Sequence, residues 1–411
     1  MKSVELNINA EGDLILPPDL AKRLGWAPGE TLRLDWNGDT ATLSRGVDHL
    51  AKVYIEPTDR CNLNCRTCMR NVWDEPMGMM SPETFERVLA SLADFDSPPL
   101  VFFGGFGEPL LHPHILEMVT AVRKLNCPVE LITNGILLDE TKAHELVNAG
   151  LNRLWVSLDG ASPESYADVR LGAALPQVIA NLKRFSDLRQ NAPTRLGVAF
   201  VAMRRNIGDL PRVISLGKEL GADMFSISNV LAHTDELCGQ MLYVRSMGDS
   251  LLQPGGGHPM VNLPRMDVNE ETLPALTAAL QSGCNLHFSG SDWSSSANRC
   301  PFIEAGSTAI RWDGAVSPCL PLLHTHTGYL ETRPRTSMAF AVGNLAQNKL
   351  REIWLEPDYH DLRLRLRAFD FSPCTFCNAC ELADRNEEEC FGNTLPACGG
   401  CLWAQGFIRC P

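Results

Sequence analysis

Apolar and polar positions change period several times along the chain, and each change marks an element. Val4-Glu-Leu-Asn-Ile alternates, as a half-buried strand does. Leu14-Ile-Leu follows the turn signal Glu11-Gly-Asp. Pro17-Pro-Asp-Leu-Ala-Lys-Arg-Leu-Gly25 opens on proline and stops on glycine, the punctuation of a short helix. Thr31-Leu-Arg-Leu-Asp-Trp and Thr40-Ala-Thr-Leu flank Asn37-Gly38, a strong hairpin pair. Beyond residue 49, apolar runs at 52–57, 100–103, 129–133, 153–158, 196–201 and 224–228 read as strands. Between them, 82–93, 114–126, 140–149, 176–189 and 210–220 carry the helical period. Ser81 stands as an N-cap before Pro82, and Gly150 and Gly221 sit where helices should stop. This alternation predicts a parallel sheet with helices outside. Six units close most of a barrel, short of the eight of a full one. Ligands then belong at the C-terminal ends of the strands.

Periodicity fades after residue 231. Gln253-Pro-Gly-Gly-Gly-His-Pro259 excludes regular structure, and 272–282 reads as one helix. His233, His258 and His287 are scattered and read as structural, while Asp235 and Glu236 are placed to reach the barrel mouth. Further on, Ile310-Arg-Trp-Asp-Gly314-Ala-Val-Ser-Pro-Cys319 reads as a hairpin turning at Asp-Gly. The expected divisions are therefore a small strand-rich module at 1–48, an α/β partial barrel at 49–231, a linker at 232–299 and a cysteine-rich extension at 300–411.

Composition narrows the class. A hydrophobic fraction of 45% over 411 residues suits a soluble protein of two or three domains. No apolar run approaches the ~20 residues of a membrane span, and the first residues lack a signal-peptide pattern. The expectation is a cytoplasmic protein with no membrane partner. Fifteen cysteines then point to metal or catalysis before disulfides. A net charge of −13 argues against a polyanionic partner.

Cys61-Asn-Leu-Asn-Cys65-Arg-Thr-Cys68 directly follows the first barrel strand. Thiolates are soft ligands that hold iron–sulfur clusters. Three on one short loop fit three corners of a [4Fe–4S] cube and leave one iron open. A structural zinc site is the alternative, but zinc usually takes two separated pairs of ligands, and no partner pair follows closely. The spacing after a strand resembles the signature of radical S-adenosylmethionine (SAM) enzymes. That resemblance implies a partial (βα)6 barrel, SAM bound at the open iron, and reductive cleavage to a 5′-deoxyadenosyl radical. Phe103-Gly-Gly-Phe-Gly-Glu108-Pro is similar to the family's Gly-Gly-Glu-Pro motif, which implies that Gly107 and Glu108 grip the SAM amine. By the same resemblance Ser157 is a SAM contact, Arg170 pairs with the SAM carboxylate, and 200–206 edges the adenine. Thr133 and Asp159 serve equally well as helix caps.

Nine cysteines crowd the last segment: Cys300, Cys319, Cys374, Cys377, Cys380, Cys390, Cys398, Cys401 and Cys410. The pattern resembles the SPASM extension of radical SAM enzymes, which implies one or two auxiliary [4Fe–4S] clusters. Cys300, Cys319 and Cys401 are assigned to one, with Cys284 a further candidate, and Cys377, Cys380, Cys398 and Cys410 to the other. Cys374 and Cys390 are spares. Zinc sites are the alternative here also.

Residues 1–48 resemble the AbrB/SpoVT swapped-hairpin domain, which implies a homodimer or a docked protein. That family often binds DNA, but here five basic residues (Lys2, Lys22, Arg23, Arg33, Arg45) face eight acidic ones (Glu5, Glu11, Asp13, Asp19, Glu30, Asp35, Asp39, Asp48), a balance that repels phosphate. The three-part order, with Cys-Gly-Gly-Cys-Leu-Trp-Ala-Gln-Gly near the end, resembles radical SAM maturases associated with tungsten-cofactor oxidoreductases. It implies that oxidoreductase, or its cofactor or a peptide, as substrate, and a low-potential electron donor. A peptide-crosslinking SPASM enzyme and a DNA-binding iron–sulfur sensor are the other two readings.

Overall fold

The computed structural model describes residues 6–24, 26, 32–37, 40–244, 260–263, 266–267, 269–281, 285–288, 298–372, 374–375 and 380–410. The chain falls into two compact units, Met1–His49 and Leu50–Pro411. In the first, Asn7–Ile8 pairs antiparallel with Leu14–Ile15, and helix Pro18–Leu24 follows. Leu32–Asn37 then pairs with Thr40–Arg45, with Asn37 opposite Thr40. Gly38, half of the expected turn pair, lies outside the described residues.

The second unit is built on one sheet. Its six expected strands are Lys52–Ile55, Leu100–Phe103, Val129–Thr133, Arg153–Ser157, Arg195–Ala202 and Met224–Asn229, all parallel and adjacent in sequence order. Each crossover is helical for a local reason. Ser81 accepts the Thr84 amide at 3.1 Å and Pro82 supplies a fixed φ at the start of Pro82–Leu92. Asp139 accepts the Lys142 amide at 2.8 Å at the start of Glu140–Asn148. Gly150 and Gly221 take positive φ (79° and 76°) where helices end. Phe85, Val88 and Leu92 form the buried stripe of the first helix, and Leu175, Val178, Leu182 and Phe185 that of helix Leu175–Leu188.

The sheet is wider than six strands. Met260–Leu263 adds parallel to Met224–Asn229, and Asn285–Phe288 adds parallel beyond it. The span 232–299, expected as a linker, thus carries two strands as well as helix Leu273–Gln281. Both strands are four residues long, and the Gly/Pro-rich stretch ahead of them masked their pattern. At the other edge Ser307–Ile310 pairs parallel with Lys52–Ile55, and Ala315–Ser317 returns antiparallel through the expected Asp-Gly turn, Gly314 at φ 87°. The cysteine-rich extension is therefore continuous with the barrel sheet. Among the described residues eleven strands form it.

Strand alternation divides the core. Val53, Ile55, Val101, Phe103, Leu131 and Val156 face the helices. Tyr54, Phe102 and Trp155 face inward and meet Phe302, Trp403 and Phe407 from the extension. The C-terminal segment thus packs into the lumen. Asn229 donates to the Phe407 carbonyl at 2.9 Å, and the Arg409 amide donates to Ser228 at 3.0 Å. Open space is left at the C-terminal strand ends.

Candidate functional site

The loop between the first strand and its helix carries Cys61, Cys65 and Cys68. All three line one cavity of about 200 Å³ at the C-terminal end of the sheet, shared with Gly107, Glu108, Ser157 and Arg170. The structure thus brings together every first-site residue expected from sequence. Among the described residues no three His, Cys, Asp or Glu side chains are grouped to hold a single metal ion. Thiols spread around a cavity suit a polynuclear cluster, in which each thiolate takes a different iron.

Two loops form the cavity walls in mutual contact. The Glu108 amide donates to the Arg60 carbonyl at 2.9 Å. A Cβ on Gly107 would stand 2.0 Å from the Thr58 carbonyl oxygen, so only glycine permits this approach. Glu108 is buried, and its carboxylate accepts from Thr133 Oγ1 (2.7 Å), the Leu110 amide (3.0 Å) and the Asn134 amide (2.8 Å). Burial still pushes its pKa up against those donors. Thr133 therefore serves Glu108 and is not a helix cap.

Asp159 is no cap either. It is fully buried, accepts the Val201 amide at 2.7 Å, and holds Arg170 Nε at 2.7 Å. Arg170 in turn stands 4.0 Å from Cys65 Sγ. Asn206 closes the 200–206 turn by accepting the Met203 amide at 2.8 Å and donating to the Asp159 carbonyl at 3.0 Å. At the rim, Glu236 pairs with Arg205 at 2.6 Å and Arg66 at 3.5 Å. His233 is buried, its ring Nδ1 3.1 Å from the Leu231 carbonyl, and His258 lies outside the described residues.

Sequence reasoning missed Arg70. It is buried and donates to Cys68 Sγ (3.2 Å), the Asp59 carbonyl (3.2 Å) and the Leu63 carbonyl (3.0 Å). Its position two residues past Cys68 was the available signal. Asn134 was missed too. Its amide nitrogen stands 3.8 Å from Cys61 Sγ and 2.9 Å from Asn62 Oδ1. Burial pushes the Cys61 and Cys65 thiols up, so metal loading must displace their protons. The chemistry of the set fits an iron–sulfur cluster, with guanidinium groups beside anionic sulfur.

A second cavity lies in the extension, lined by Cys300, Cys319, Cys398 and Cys401. Burial pushes Cys300 up to about 12, and burial with mutual repulsion pushes Cys319 and Cys398 well above the ordinary thiol value. Four thiols so placed ionise only with a cation among them. The Gly399-Gly400 turn lets Cys398 and Cys401 face one space. A Cβ on Gly400 would meet the buried Arg335 guanidinium at 2.6 Å.

This grouping differs from the sequence assignment. Cys398 stands with Cys300, Cys319 and Cys401, because the tight turn ties it to Cys401. Cys410 is carried away by 402–410 into the barrel lumen. It is half-buried beside Lys52 and Trp403, and its surroundings push its pKa up to about 11. Cys380 lines neither cavity, and Cys377 and Cys284 lie outside the described residues. Cys374 packs against Ser372 at 3.1 Å, and Cys390 is exposed.

The family model of the Radical SAM superfamily matches residues 55–214, and that of the SPASM iron-sulfur cluster-binding domain matches 300–381. The chain is 28% identical to the tungsten-containing aldehyde ferredoxin oxidoreductase cofactor-modifying protein of Pyrococcus furiosus, over 87% of this chain and 96% of that one. It is 34% identical to a probable GTP 3′,8-cyclase of Methanocaldococcus jannaschii and 32% identical to the PqqA peptide cyclase of Gluconobacter oxydans. It spans only 60% and 48% of their lengths. In fold it is similar to Streptococcus suis SuiB bound to S-adenosylmethionine, with TM-score 0.53 and 16% identity over 80% of this chain and 71% of that one. No described helix is long and apolar enough to cross a membrane.

Arg70→Met removes all three donors and strands two buried carbonyls, which costs about 1–3 kcal/mol. Limited proteolysis should then cut between residues 58 and 72 faster than in the wild type. An unchanged cleavage rate contradicts the bracing role.

Proposed function

We propose that this chain, a radical SAM enzyme carrying a SPASM iron–sulfur domain, matures the cofactor of a tungsten-containing oxidoreductase. The near full-length similarity to the Pyrococcus furiosus cofactor-modifying protein supports the substrate class. The observation that carries the radical chemistry is the single cavity shared by Cys61, Cys65, Cys68 and Glu108.

In this reading Cys61, Cys65 and Cys68 would each hold one iron of a [4Fe–4S] cluster and leave room in their cavity for SAM. When bound, the cluster supplies the electron that cleaves SAM to a 5′-deoxyadenosyl radical. Glu108, with Gly107 giving it room, receives the SAM ammonium in a charge-assisted hydrogen bond. Arg170 faces the SAM carboxylate while Asp159 holds its Nε, and Ser157 contacts SAM from its strand tip. Arg70 and Arg170 supply positive charge beside the thiolates. The apolar packing of Tyr54, Phe102 and Trp155 against Phe302, Trp403 and Phe407 excludes water from the lumen. Cys300, Cys319, Cys398 and Cys401 hold an auxiliary cluster, and a low-potential carrier delivers the electron.

Residues 1–48 act as a dimerising or docking module of the AbrB/SpoVT kind. Ile8 (70% exposed), Ile15 (50%), Leu34 (45%) and Trp36 (75%) give this small unit more open apolar surface than a monomer usually carries.

Three outcomes follow. Glu108→Gln should weaken SAM binding by ~1.5–3 kcal/mol with iron content intact; unchanged affinity in titrations removes Glu108 from the site. A tungsten oxidoreductase co-produced with this protein should carry its complete cofactor, and without it should not. Equal cofactor content in both preparations contradicts the maturase reading and leaves peptide crosslinking. Deleting residues 1–48 should lower the oligomeric state in light scattering, or release a bound protein, while SAM cleavage persists. Tight, salt-sensitive duplex binding by the full chain would instead revive the DNA-binding sensor.

A further inference from the structure

Glu56 follows the first strand and is completely buried. One carboxylate oxygen accepts the Phe106 amide at 3.1 Å, inside the loop that ends in Gly107-Glu108. That loop is pressed onto it: a Cβ on Gly105, where φ is +131°, would meet the Glu56 side chain at 2.8 Å. The other oxygen lies 2.8 Å from His324 Nε2. His324 Nδ1 lies 2.9 Å from Glu75 Oε2, and Glu75 Oε1 accepts the Thr325 amide at 2.9 Å. The imidazole is 1% exposed, stacks on Trp73 at 4.1 Å, and meets Phe106 edge-on at 5.8 Å. A ring whose two nitrogens both face carboxylates is an imidazolium donating twice. None of this serves the thiols or Glu108 directly, yet it buries Glu56 and His324 together, with Glu75 half-buried beside them, at the catalytic end of the barrel.

We propose that His324 is a positioning residue for SAM binding: clamped between Glu56 and Glu75, it keeps the Glu56 carboxylate against the Phe106 amide and so fixes the loop that presents Glu108. The proposal rests on reading 104–109 as the SAM loop. A buried carboxylate stays ionised only with a compensating charge and donors. Without the imidazolium, Glu56 must take up a proton or turn away, and either change loosens its hold on Phe106. His324 lies five residues after Cys319 and two before His326, both of which line the auxiliary cavity. The SAM loop is therefore tied to the auxiliary site through one short span.

Facing charges fix the pH dependence. Burial opposes the charged ring, but Glu56 and Glu75 prevail and the His324 pKa is raised. Arg311 stands 3.6 Å from Glu75 and is itself paired with Asp313. His326 is kept neutral, pushed down to about 4 by burial, and Asp59 accepts from Trp312 at 3.1 Å. Because the folded pKa is raised, the clamp is complete at lower pH and is lost as pH rises through that value.

The test is SAM affinity of the anaerobically reconstituted protein, read from the SAM-induced change in the cluster's electron paramagnetic resonance spectrum. His324→Phe keeps a ring on Trp73 but removes both donors, and affinity should fall about tenfold. Adding Glu56→Gln removes the uncompensated charge while leaving an acceptor for Phe106, so the double variant should recover most of the loss. A packing role for His324 would not be rescued in this way. Undiminished affinity in His324→Phe, or a loss that Glu56→Gln leaves uncorrected, overturns the proposal. Should His324→Phe not hold iron, the comparison passes to pH profiles of wild type and Glu56→Gln. The wild type should lose affinity with rising pH and the variant should not; superimposable profiles overturn the proposal. Glu108→Gln is run alongside. If it weakens SAM binding while His324→Phe does not, the clamp alone fails. If it has no effect, the loop assignment fails and takes the clamp with it.

Discussion

The site depends on one backbone contact between two loops. The Glu108 amide reaches the Arg60 carbonyl at 2.9 Å, and Gly107 passes Thr58 with no room for a Cβ. This contact joins the ends of the first two parallel strands, which carry the cysteines and the glutamate respectively. Parallel pairing of Lys52–Ile55 with Leu100–Phe103 brings the two loops to the same end of the sheet. Glycine then lets them touch. Without that approach Glu108 and the three thiols would line different walls.

Buried charge shapes both cysteine cavities in the same way. Thiols are held where burial resists ionisation, and a buried guanidinium stands beside each set. Arg70 adjoins Cys68 at 3.2 Å, and Arg335 lies against the Cys398–Cys401 turn. A fixed positive charge stabilises anionic sulfur and leaves the cage ready for metal. The Radical SAM and SPASM matches agree with this reading and imply [4Fe–4S] clusters and SAM as cofactors.

Much of this was legible in the chain. Strand and helix periods located the barrel, because crossovers carry their own caps and stops, such as Ser81, Gly150 and Gly221. The first cavity was legible because its lining is local: Cys61, Cys65 and Cys68 share eight residues, and Glu108 sits in a glycine loop. What escaped was long-range. Pairing of Ser307–Ile310 with Lys52–Ile55 is set by the closed tertiary structure, and two four-residue strands were hidden behind a glycine run. His324 meets Glu56 across 268 positions, which no local pattern encodes. Spacing alone put Cys398 with Cys410, whereas in the structure it lines a cavity with Cys300, Cys319 and Cys401, because spacing cannot show how 402–410 turns.

The central claim is that Cys61, Cys65 and Cys68 hold the cluster that cleaves SAM. Its most direct test is the triple alanine variant, assayed together for iron and for 5′-deoxyadenosine under reducing, anaerobic conditions. The variant should lose about four irons per chain and form no 5′-deoxyadenosine, while the auxiliary iron remains. Continued 5′-deoxyadenosine production by that variant would contradict the claim.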